Sequence, residues 1–571
     1  MSARRATLLR FILWTMTSWL LGFPAIGRIG SSVVGDPGDA MFNLAVLRWG
    51  ARSAESGFSN YWSGQIFHTA HLPMAYSDTH LGLVPIFAPL NWLFGSVVAM
   101  NLIYLGLFVV ALESSWRLCL RVCGHRWASG VGALVFTYST IRLGQANHFQ
   151  LMLGALLPLI ALMVWRVTDN DGSWRHAVTL GLSLAVITLS ASYLGIAAVM
   201  MVAGLVAFRL PSIVRSPRAL VIRLALAGVL AAVLVGPVAI KYLELQDDPY
   251  FTRDPSTTQG TSIEGMTEVQ GSTRLMDVLV DRTTPYSENR SFPGVVGVVF
   301  GLIGIGVVCR QRWWKDAGFE QNRRGEVLSL GVVCLVISVI SFGNSPLFDA
   351  AGILIPGFSG IRALVRLIVV GQLAVAVLAA VGVATTMRLL ADRPRLAVGL
   401  CAGLAAVVLG ESALDLPLSR TPLGQSSFMS VSRELEGRAK GPVLELPAPP
   451  PSTGALWAFT EAPRMVAAGE DGQVRVNGYS GFFPKWYESE MSSVNDPSSL
   501  AGQEVLAHRG VRFIVFRTAP FVSDDGSDGL ISPAGSAWMN AADAEREVAE
   551  LPPATVERVD RVDGGIIVTL R

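Results

Sequence analysis

The chain has 571 residues, of which 51% are hydrophobic and only 15% charged, with a formal net charge of +2 at pH 7. Because ordinary soluble proteins carry about 25% charged residues, this shortage of charge excludes a typical soluble protein and indicates a chain that lies largely in lipid. The near-neutral balance, without a basic tract, gives no indication of a nucleic-acid partner.

Apolar runs long enough to cross about 30 Å of hydrocarbon recur through the first three quarters of the sequence. We predict about eleven membrane spans, near residues 8–28, 97–115, 128–143, 150–166, 176–192, 194–210, 220–240, 293–309, 326–343, 361–387 and 396–414. Residues 81–95 are also apolar, but Pro85 and Pro89 interrupt the run. We therefore expect this segment to lie in the membrane interface or to re-enter the membrane.

Arginine clusters set the predicted orientation. Arg4, Arg5 and Arg10 precede the first span, and further basic clusters fall in every second connection. The positive-inside rule then puts the N-terminus in the cytoplasm. The alternate connections, including a first outer loop at 29–80 and a large outer loop at 241–292, lie outside. The sequence predicts a multi-pass protein of the cell (inner or plasma) membrane whose C-terminal part is extracytoplasmic.

The pattern changes at about residue 415, where the long apolar runs end. Residues 443–446 and 511–516 are predicted strands, 536–551 a helix, and 555–562 with 565–570 a hairpin, because short alternating segments are typical of strands. We therefore divide the chain into a transmembrane domain at 1–414 and an extracytoplasmic α/β domain at 415–571.

Two acids, Asp36 and Asp39, directly follow the first span at the head of a short helix. An Asp, a Pro and a second acid in this spacing are typical of a helix start, so capping alone would explain them. The helix is amphipathic, and its apolar residues Met41, Leu44, Ala45 and Leu47 are able to lie on lipid. An acid held at a membrane surface can also meet a lipid-linked substrate, so Asp36 and Asp39 are our candidate catalytic residues.

Asp78 and His80 close the first outer loop. They can position a substrate hydroxyl, or ligate a metal together with Asp36 or Asp39, because carboxylates and imidazoles serve both purposes. The alternative is a hydrogen-bonded loop end with no chemical role.

Two further groups of polar residues flank predicted spans. Arg142, Gln145 and His148 form a short outer loop that is either solvated or lines a substrate cavity. Arg362 and Arg366 are four residues apart and would share one helix face at the outer end of the tenth span. Two guanidinium groups there can clamp a phosphate, although snorkelling towards lipid headgroups would produce the same pattern.

Together these stretches resemble the bacterial GT-C-type membrane glycosyltransferases, or a GT-C-like membrane protein of unassigned substrate. The likeness is carried by residues 35–49, 75–82, 142–151 and 342–360, and residues 477–482 of the tail look like a motif of the same group. The resemblance implies a polytopic GT-C-like fold and an inverting transfer of a sugar from a polyprenyl-phosphate donor. The acceptor would be an envelope glycan, lipid or protein at the outer face of the membrane.

The family's acid lies in the first outer loop, which corresponds to Asp36 or Asp39 here. These acids are three residues apart and do not form a tight Asp-x-Asp or Asp-Glu pair, so which one is the base, and whether a divalent cation takes part, stay open. An inverting displacement needs a base for the acceptor hydroxyl and charge stabilisation for the leaving phosphate. The arginines named above are the candidates for the second role. The rival interpretation is a non-catalytic carrier or flippase of lipid-linked glycans, or a scaffold of an envelope-assembly complex.

Overall fold

The structure is a computed structural model of the chain. It describes residues 3–22, 26–145, 148–169, 171–214, 218–246, 248–251, 260–262, 266, 291–412, 416–521 and 537–571. The chain divides into two compact units. The helical unit comprises Met1–Pro24 and Tyr104–Leu416, and the mixed unit comprises Ala25–Ile103 and Pro417–Arg571.

Most of the described residues are helical. In chain order the α-helices are α1 (Ala3–Gly22), α2 (Asp39–Glu55), α3 (Val84–Phe94), α4 (Ser96–Cys123), α5 (Arg126–Thr137), α6 (Thr140–Gly144), α7 (Leu157–Thr168), α8 (Trp174–Ser190), α9 (Ser192–Val214), α10 (Arg218–Gln246), α11 (Val295–Cys309), α12 (Gln311–Asp316), α13 (Gln321–Ile340), α14 (Pro346–Leu354), α15 (Ile368–Leu389), α16 (Pro394–Glu411), α17 (Ser426–Glu436), α18 (Ala455–Asp471), α19 (Tyr487–Val494), α20 (Leu500–His508) and α21 (Ala541–Glu550). The strands are β1 (Ser32–Val34), β2 (Leu418–Arg420), β3 (Val443–Leu446), β4 (Phe513–Arg517), β5 (Val556–Val562) and β6 (Gly565–Leu570).

Six helical segments of the described chain are long and apolar enough to cross a membrane. They are Ser96–Cys123, Phe149–Thr168, Ser192–Leu210, Arg218–Gln246, Leu364–Leu389 and Pro394–Glu411, and they indicate a multi-pass membrane protein. The predicted count of about eleven is not confirmed. Helices α5, α8 and α11 have 12, 17 and 15 residues, and a span requires about 20. Most of the predicted outer loop at 241–292 lies outside the described residues.

Helix α15 lies at the centre of the helical unit, where it packs against α5, α11 and α13. Glycines allow the backbones of α11 and α15 to approach each other closely. A Cβ atom at Gly304 of α11 would collide with the Leu378 carbonyl, and one at Gly382 of α15 would collide with the Phe300 carbonyl. Small residues at such crossings let helix backbones come together in lipid, where apolar burial alone provides little drive for helix association.

The mixed unit contains a four-stranded sheet in the order β3-β4-β6-β5. Strands β3 and β4 are parallel and the other pairs are antiparallel. The predicted strand at 443–446 and the predicted hairpin are confirmed, whereas β4 begins at Phe513, two residues later than predicted. Helix α17 covers the sheet, and Val431, Leu435, Val443, Phe513, Val515 and Ile567 form their shared core. The predicted boundary at residue 414 stays a prediction. The extracytoplasmic location of residues 415–571 also stays a prediction, because a folded unit does not show which side of the membrane it faces.

Helix α2 is buried inside the mixed unit, so its apolar face is not free to lie on lipid. Met41, Leu44 and Leu47 are each 0% exposed. The helix packs against α18 on one side and α3 on another. An amphipathic helix has the same sequence pattern whether its apolar stripe meets lipid or another helix.

Backbone hydrogen bonds join residues 65–68 to the tail. The amide groups of Phe67 and His68 donate to the carbonyls of Asn477 and Arg475, and the Arg475 amide donates to the Gln65 carbonyl. Residues 475–477 also lie beside β3, because the amides of Val443 and Val476 bond to the carbonyls of Val474 and Val443. The segment at 65–68 therefore extends the pairing at the β3 edge.

We expect replacement of Gly478 by Ala to destabilise the protein. A Cβ atom there would lie 2.9 Å from both the Ile66 Cβ and the Phe67 ring. Overpacking of this kind costs about 1–3 kcal/mol, so the thermal unfolding midpoint of the detergent-purified chain should fall. Gly437→Ala is the matched control, since a Cβ atom at Gly437 meets nothing within 4 Å. Equal midpoints for the two variants would contradict the close contact.

Candidate functional site

The two candidate acids stand at the N-terminus of α2, where the backbone fixes the loop that carries them. Asp36 Oδ1 accepts the amide hydrogens of Gly38 at 2.8 Å and of Asp39 at 2.9 Å. The preceding residue, Gly35, donates its amide to the Pro417 carbonyl at 2.8 Å, and its carbonyl accepts the Ser419 hydroxyl at 2.6 Å. The N-cap residue of α2 is Gly38 instead of the predicted Asp36, but the two bonds to Asp36 still satisfy amides at this helix end, where the positive end of the helix dipole favours carboxylates.

Tyr479 of the tail holds the second acid. Its hydroxyl donates to Asp39 Oδ1 at 3.0 Å. Its ring makes edge contacts with Phe42 and Trp457, at centroid distances of 5.6 and 4.9 Å. The Trp457 indole in turn donates to the Gly478 carbonyl at 2.8 Å. The motif at 477–482 therefore belongs to the site, and its tyrosine orients the carboxylate of Asp39.

The end of the first outer loop reaches the same turns of α2. His80 is 0% exposed, and its Nε2 lies 2.7 Å from Oδ1 of Asn43, which is four residues beyond Asp39 on α2. Asp78, two residues earlier, is half-buried. The Tyr76 carbonyl beside it accepts the Phe482 amide at 3.1 Å. Asp36, Asp39, Asp78 and His80 therefore come from segments that meet at the start of α2.

Unusual backbone conformations concentrate in this loop. Among the described residues, the non-glycine positions with positive φ are Phe58, Phe67, Thr69, Leu72 and His80, with φ between 49° and 73°. Such conformations cost about 1–3 kcal/mol each and persist only where surrounding contacts hold them, typically at functional sites. The surrounding contacts therefore hold the loop at 29–80 in one strained backbone conformation.

In the part of the chain that the structure describes, no group of three or more His, Cys, Asp or Glu side chains is arranged to hold a metal ion.

The other five predicted residues lie in the helical unit. Arg142, Gln145 and His148 are 0%, 1% and 5% exposed, so the solvated-loop alternative is wrong. Arg142 is in the short helix α6, and its guanidinium carbon lies 5.2 Å from the centre of the Phe136 ring. Its Nη2 donates to the Met152 carbonyl at 3.3 Å, while its Nε and Nη1 are buried with no hydrogen-bond partner among the described residues. A buried guanidinium left partly unpaired is costly, which is typical of an anion site.

Arg362 and Arg366 do not share a helix face, which corrects the spacing argument. Helix α15 begins only at Ile368, after a 3₁₀ turn at Leu364–Leu367. Arg362 precedes that turn and is exposed, whereas Arg366 lies within it, is 8% exposed, and has its guanidinium carbon 5.7 Å from the Tyr193 ring centre. The apolar run continues through the turn, so hydropathy alone could not locate the helix start.

A buried ionic cluster lies behind the 477–482 motif, and the sequence analysis missed it. Glu445 of β3 is 0% exposed and accepts hydrogen bonds from Arg475 at 2.6 Å and Arg517 at 2.7 Å. Burial alone would raise the pKa of Glu445, but these arginines, with Arg464, lower it to about 2. The one available signal was the charged residue inside the apolar strand 443–446.

Glu461 of α18 completes this cluster. It accepts hydrogen bonds from Arg464 at 3.0 Å and from the Asn477 side chain at 3.2 Å. Its burial outweighs the nearby Arg464 and raises its pKa to about 7. Asn477 also bonds to both the amide and the carbonyl of Glu445, so the cluster fixes the first residue of the motif.

Comparison with known proteins gives a family and distant structural neighbours. The model of a family described as a domain of unknown function, DUF6311, matches residues 28–408. No curated protein matches the sequence. The chain is similar to the Archaeoglobus fulgidus oligosaccharyltransferase in its apo form, with 11% identity, a TM-score of 0.47, and coverage of 90% of this chain and 69% of that one.

The same archaeal enzyme, AglB, in complex with an inhibitory peptide and a dolichol-phosphate gives 10% identity and a TM-score of 0.47, covering 89% of this chain and 69% of that one. The form tethered to an acceptor peptide gives 11% identity and a TM-score of 0.46, covering 90% and 69%. Similarity at this level does not assign an activity.

We expect the stability of the protein to decrease as pH rises from about 4.5 to about 7, with Glu461 as a contributor. Because the folded-state pKa of Glu461 is raised to about 7, the folded chain keeps a proton that the unfolded chain releases. Each pH unit in that window then removes up to about 1.4 kcal/mol. Glu461→Gln should flatten the decline of the thermal midpoint, and the exposed Glu504→Gln control should not. Parallel pH profiles for wild type and Glu461→Gln would exclude this role.

Proposed function

The chain belongs to the DUF6311 family, and we propose that it transfers a glycosyl group from a lipid-linked donor, a polyprenyl-phosphate sugar, to an envelope glycan, lipid or protein at the outer face of the cell membrane. The observation that carries the proposal is the oriented pair of acids at the start of α2. Asp36 is fixed by two backbone amides, and Asp39 is fixed by the Tyr479 hydroxyl.

The transfer is an inverting displacement at the anomeric carbon of the donor sugar. The acceptor oxygen forms a bond to that carbon while the bond to the phosphate oxygen breaks. The polyprenyl phosphate leaves with the electron pair, and the acceptor proton passes to Asp36 or Asp39. A positioned base of this kind contributes about 10²–10⁴-fold to the rate.

The remaining predicted residues have supporting roles in this scheme. Asp78 and His80 position the sugar or the acceptor beside the acids. Arg142, Gln145 and His148 bind the donor, and Arg142, Arg362 and Arg366 stabilise its phosphate, since guanidinium groups suit phosphate oxygens. Support comes from the buried Arg142, which has two guanidinium nitrogens without hydrogen-bond partners in the described part of the chain.

We expect Asp36→Asn or Asp39→Asn to abolish most of the transfer from a polyprenyl-phosphate sugar, by about 10²-fold or more in kcat. Asn keeps a side-chain oxygen that can accept the backbone amides at position 36 or the Tyr479 hydroxyl at position 39, so the variants remove only the base. The variant with the larger loss identifies the base. Asp563→Asn, at the exposed turn between β5 and β6, is the control and should retain full activity.

Full activity in both single variants and in the double variant would remove the base assignment. A wild-type chain that binds the lipid-linked sugar but shows no transfer would instead favour the non-catalytic carrier, for which no proton transfer is needed.

We expect Arg142→Met to raise KM for the lipid-linked donor by about tenfold or more, because one charge-assisted contact to phosphate is lost. The thermal midpoint should not fall, since the substitution replaces a partly unpaired buried charge by an apolar side chain of similar length. Arg175→Met, at an exposed position, should change neither quantity. A lower midpoint with an unchanged KM would make Arg142 a structural residue.

A further inference from the structure

The end of α2 opposite the acids borders a cavity of about 650 Å³ that the proposed transfer does not use. Its lining includes the last turns of α2, the junction between α3 and α4, and the C-terminus of α18. With a rise of about 1.5 Å per residue, Arg52 on α2 lies roughly 20 Å from Asp39 along the helix axis. The cavity is therefore separate from the candidate catalytic residues.

Two arginines of α2 enter this cavity beside the end of α18. Arg48 forms an ion pair with Glu470, and a Cβ atom at Gly469 would lie 3.2 Å from its guanidinium. Arg52 is exposed and donates one hydrogen bond, from Nη1 to the Gly469 carbonyl at 3.1 Å. Basic side chains commonly satisfy the last carbonyls of a helix. Arg52 takes this role with one donor and leaves its others unused within the described chain, whereas Arg48 pairs with the Glu470 side chain instead.

A carboxylate faces the same cavity. Glu55 is exposed and lies three residues beyond Arg52 on α2. It accepts the Trp92 indole hydrogen at 3.1 Å, and it forms no ion pair with any described residue. Arg48, Arg52, Glu55 and Glu470 have charges that sum to zero. The cavity therefore offers separate positive and negative groups instead of a net positive charge.

Helix α3 places apolar side chains next to these charges. Ile86, Trp92, Leu93 and Phe94 are 52%, 59%, 73% and 57% exposed, while Val84, Phe87 and Ala88 on the other face are buried against the unit. The helix has 11 residues, too few to cross a membrane. The candidate span α4 begins at Ser96, two residues after α3 ends. An exposed Trp such as Trp92 beside the end of a span is typical of the headgroup level of a bilayer.

We propose that this cavity binds the headgroup of a zwitterionic phospholipid of the phosphoethanolamine type. Arg52 binds the phosphate, with Arg48 behind it, and Glu55 binds the primary ammonium. The acyl chains lie along Trp92, Leu93 and Phe94. An ammonium with three N–H donors suits a carboxylate, whereas a quaternary ammonium has no donor to offer, and a phosphoglycerol headgroup has no cation to pair with Glu55. The site does not depend on the proposed transfer.

The test uses the purified full chain in detergent, titrated with phosphatidylethanolamine, phosphatidylcholine and phosphatidylglycerol of identical acyl chains and followed by native mass spectrometry. We expect phosphatidylethanolamine to bind most tightly. Arg52→Gln and Glu55→Gln should each weaken it about tenfold, and only Arg52→Gln should weaken phosphatidylglycerol as well. The exposed Arg433→Gln and Glu436→Gln variants on α17 are the matched controls. Soluble phosphoethanolamine in excess should displace the lipid.

Three results would overturn the proposal. They are equal binding of the three lipids, binding by Arg52→Gln and Glu55→Gln that matches their controls, and failure of soluble phosphoethanolamine to compete. None of them bears on the catalytic acids, so the two proposals can fail separately.

Discussion

Backbone hydrogen bonds between residues 65–68 and 475–477 hold together two stretches that are far apart in the sequence. The same tail segment pairs with β3, so residues 65–68 are attached to the edge of a folded sheet. Asn477, the first residue of the site motif, is fixed in turn by the buried Glu445 and Glu461. The position of Tyr479, and through it the orientation of Asp39, depends on this pairing.

The pairing of residues 65–68 with the tail also explains how the loop at 29–80 keeps unfavourable backbone conformations. Five non-glycine residues between Phe58 and His80 have positive φ, and together they represent several kcal/mol of strain at about 1 kcal/mol or more each. Burial of Phe67 and His80, each 0% exposed, offsets that strain. A loop free in solvent would relax. Because the loop is held, His80 stays on Asn43 and the acids stay at the start of α2, which is the pre-organisation that a displacement reaction requires.

The sequence was sufficient where the signal is local. The strands β3, β5 and β6 and the start of a helix just after Asp36 follow from neighbours a few positions away. The sequence was insufficient where the contacting residue lies far away in the chain. The apolar stripe of α2 gives no indication that α18 covers it, and no local pattern pairs Tyr479 with Asp39. The 3₁₀ turn before α15 separates Arg362 from Arg366 inside a continuous apolar run, which hydropathy cannot resolve. The sequence shows the charge of Arg142, but it does not show that this side chain is buried.

Hydrogen–deuterium exchange of the purified chain tests the attachment most directly. The amides of Phe67 and His68 donate to tail carbonyls, so we expect them to be protected as strongly as the amides of β3 and to lose protection together with residues 473–478 when the tail is destabilised by Gly478→Ala. Exchange of Phe67 and His68 at the rate of an unstructured loop, with β3 still protected, would contradict the account.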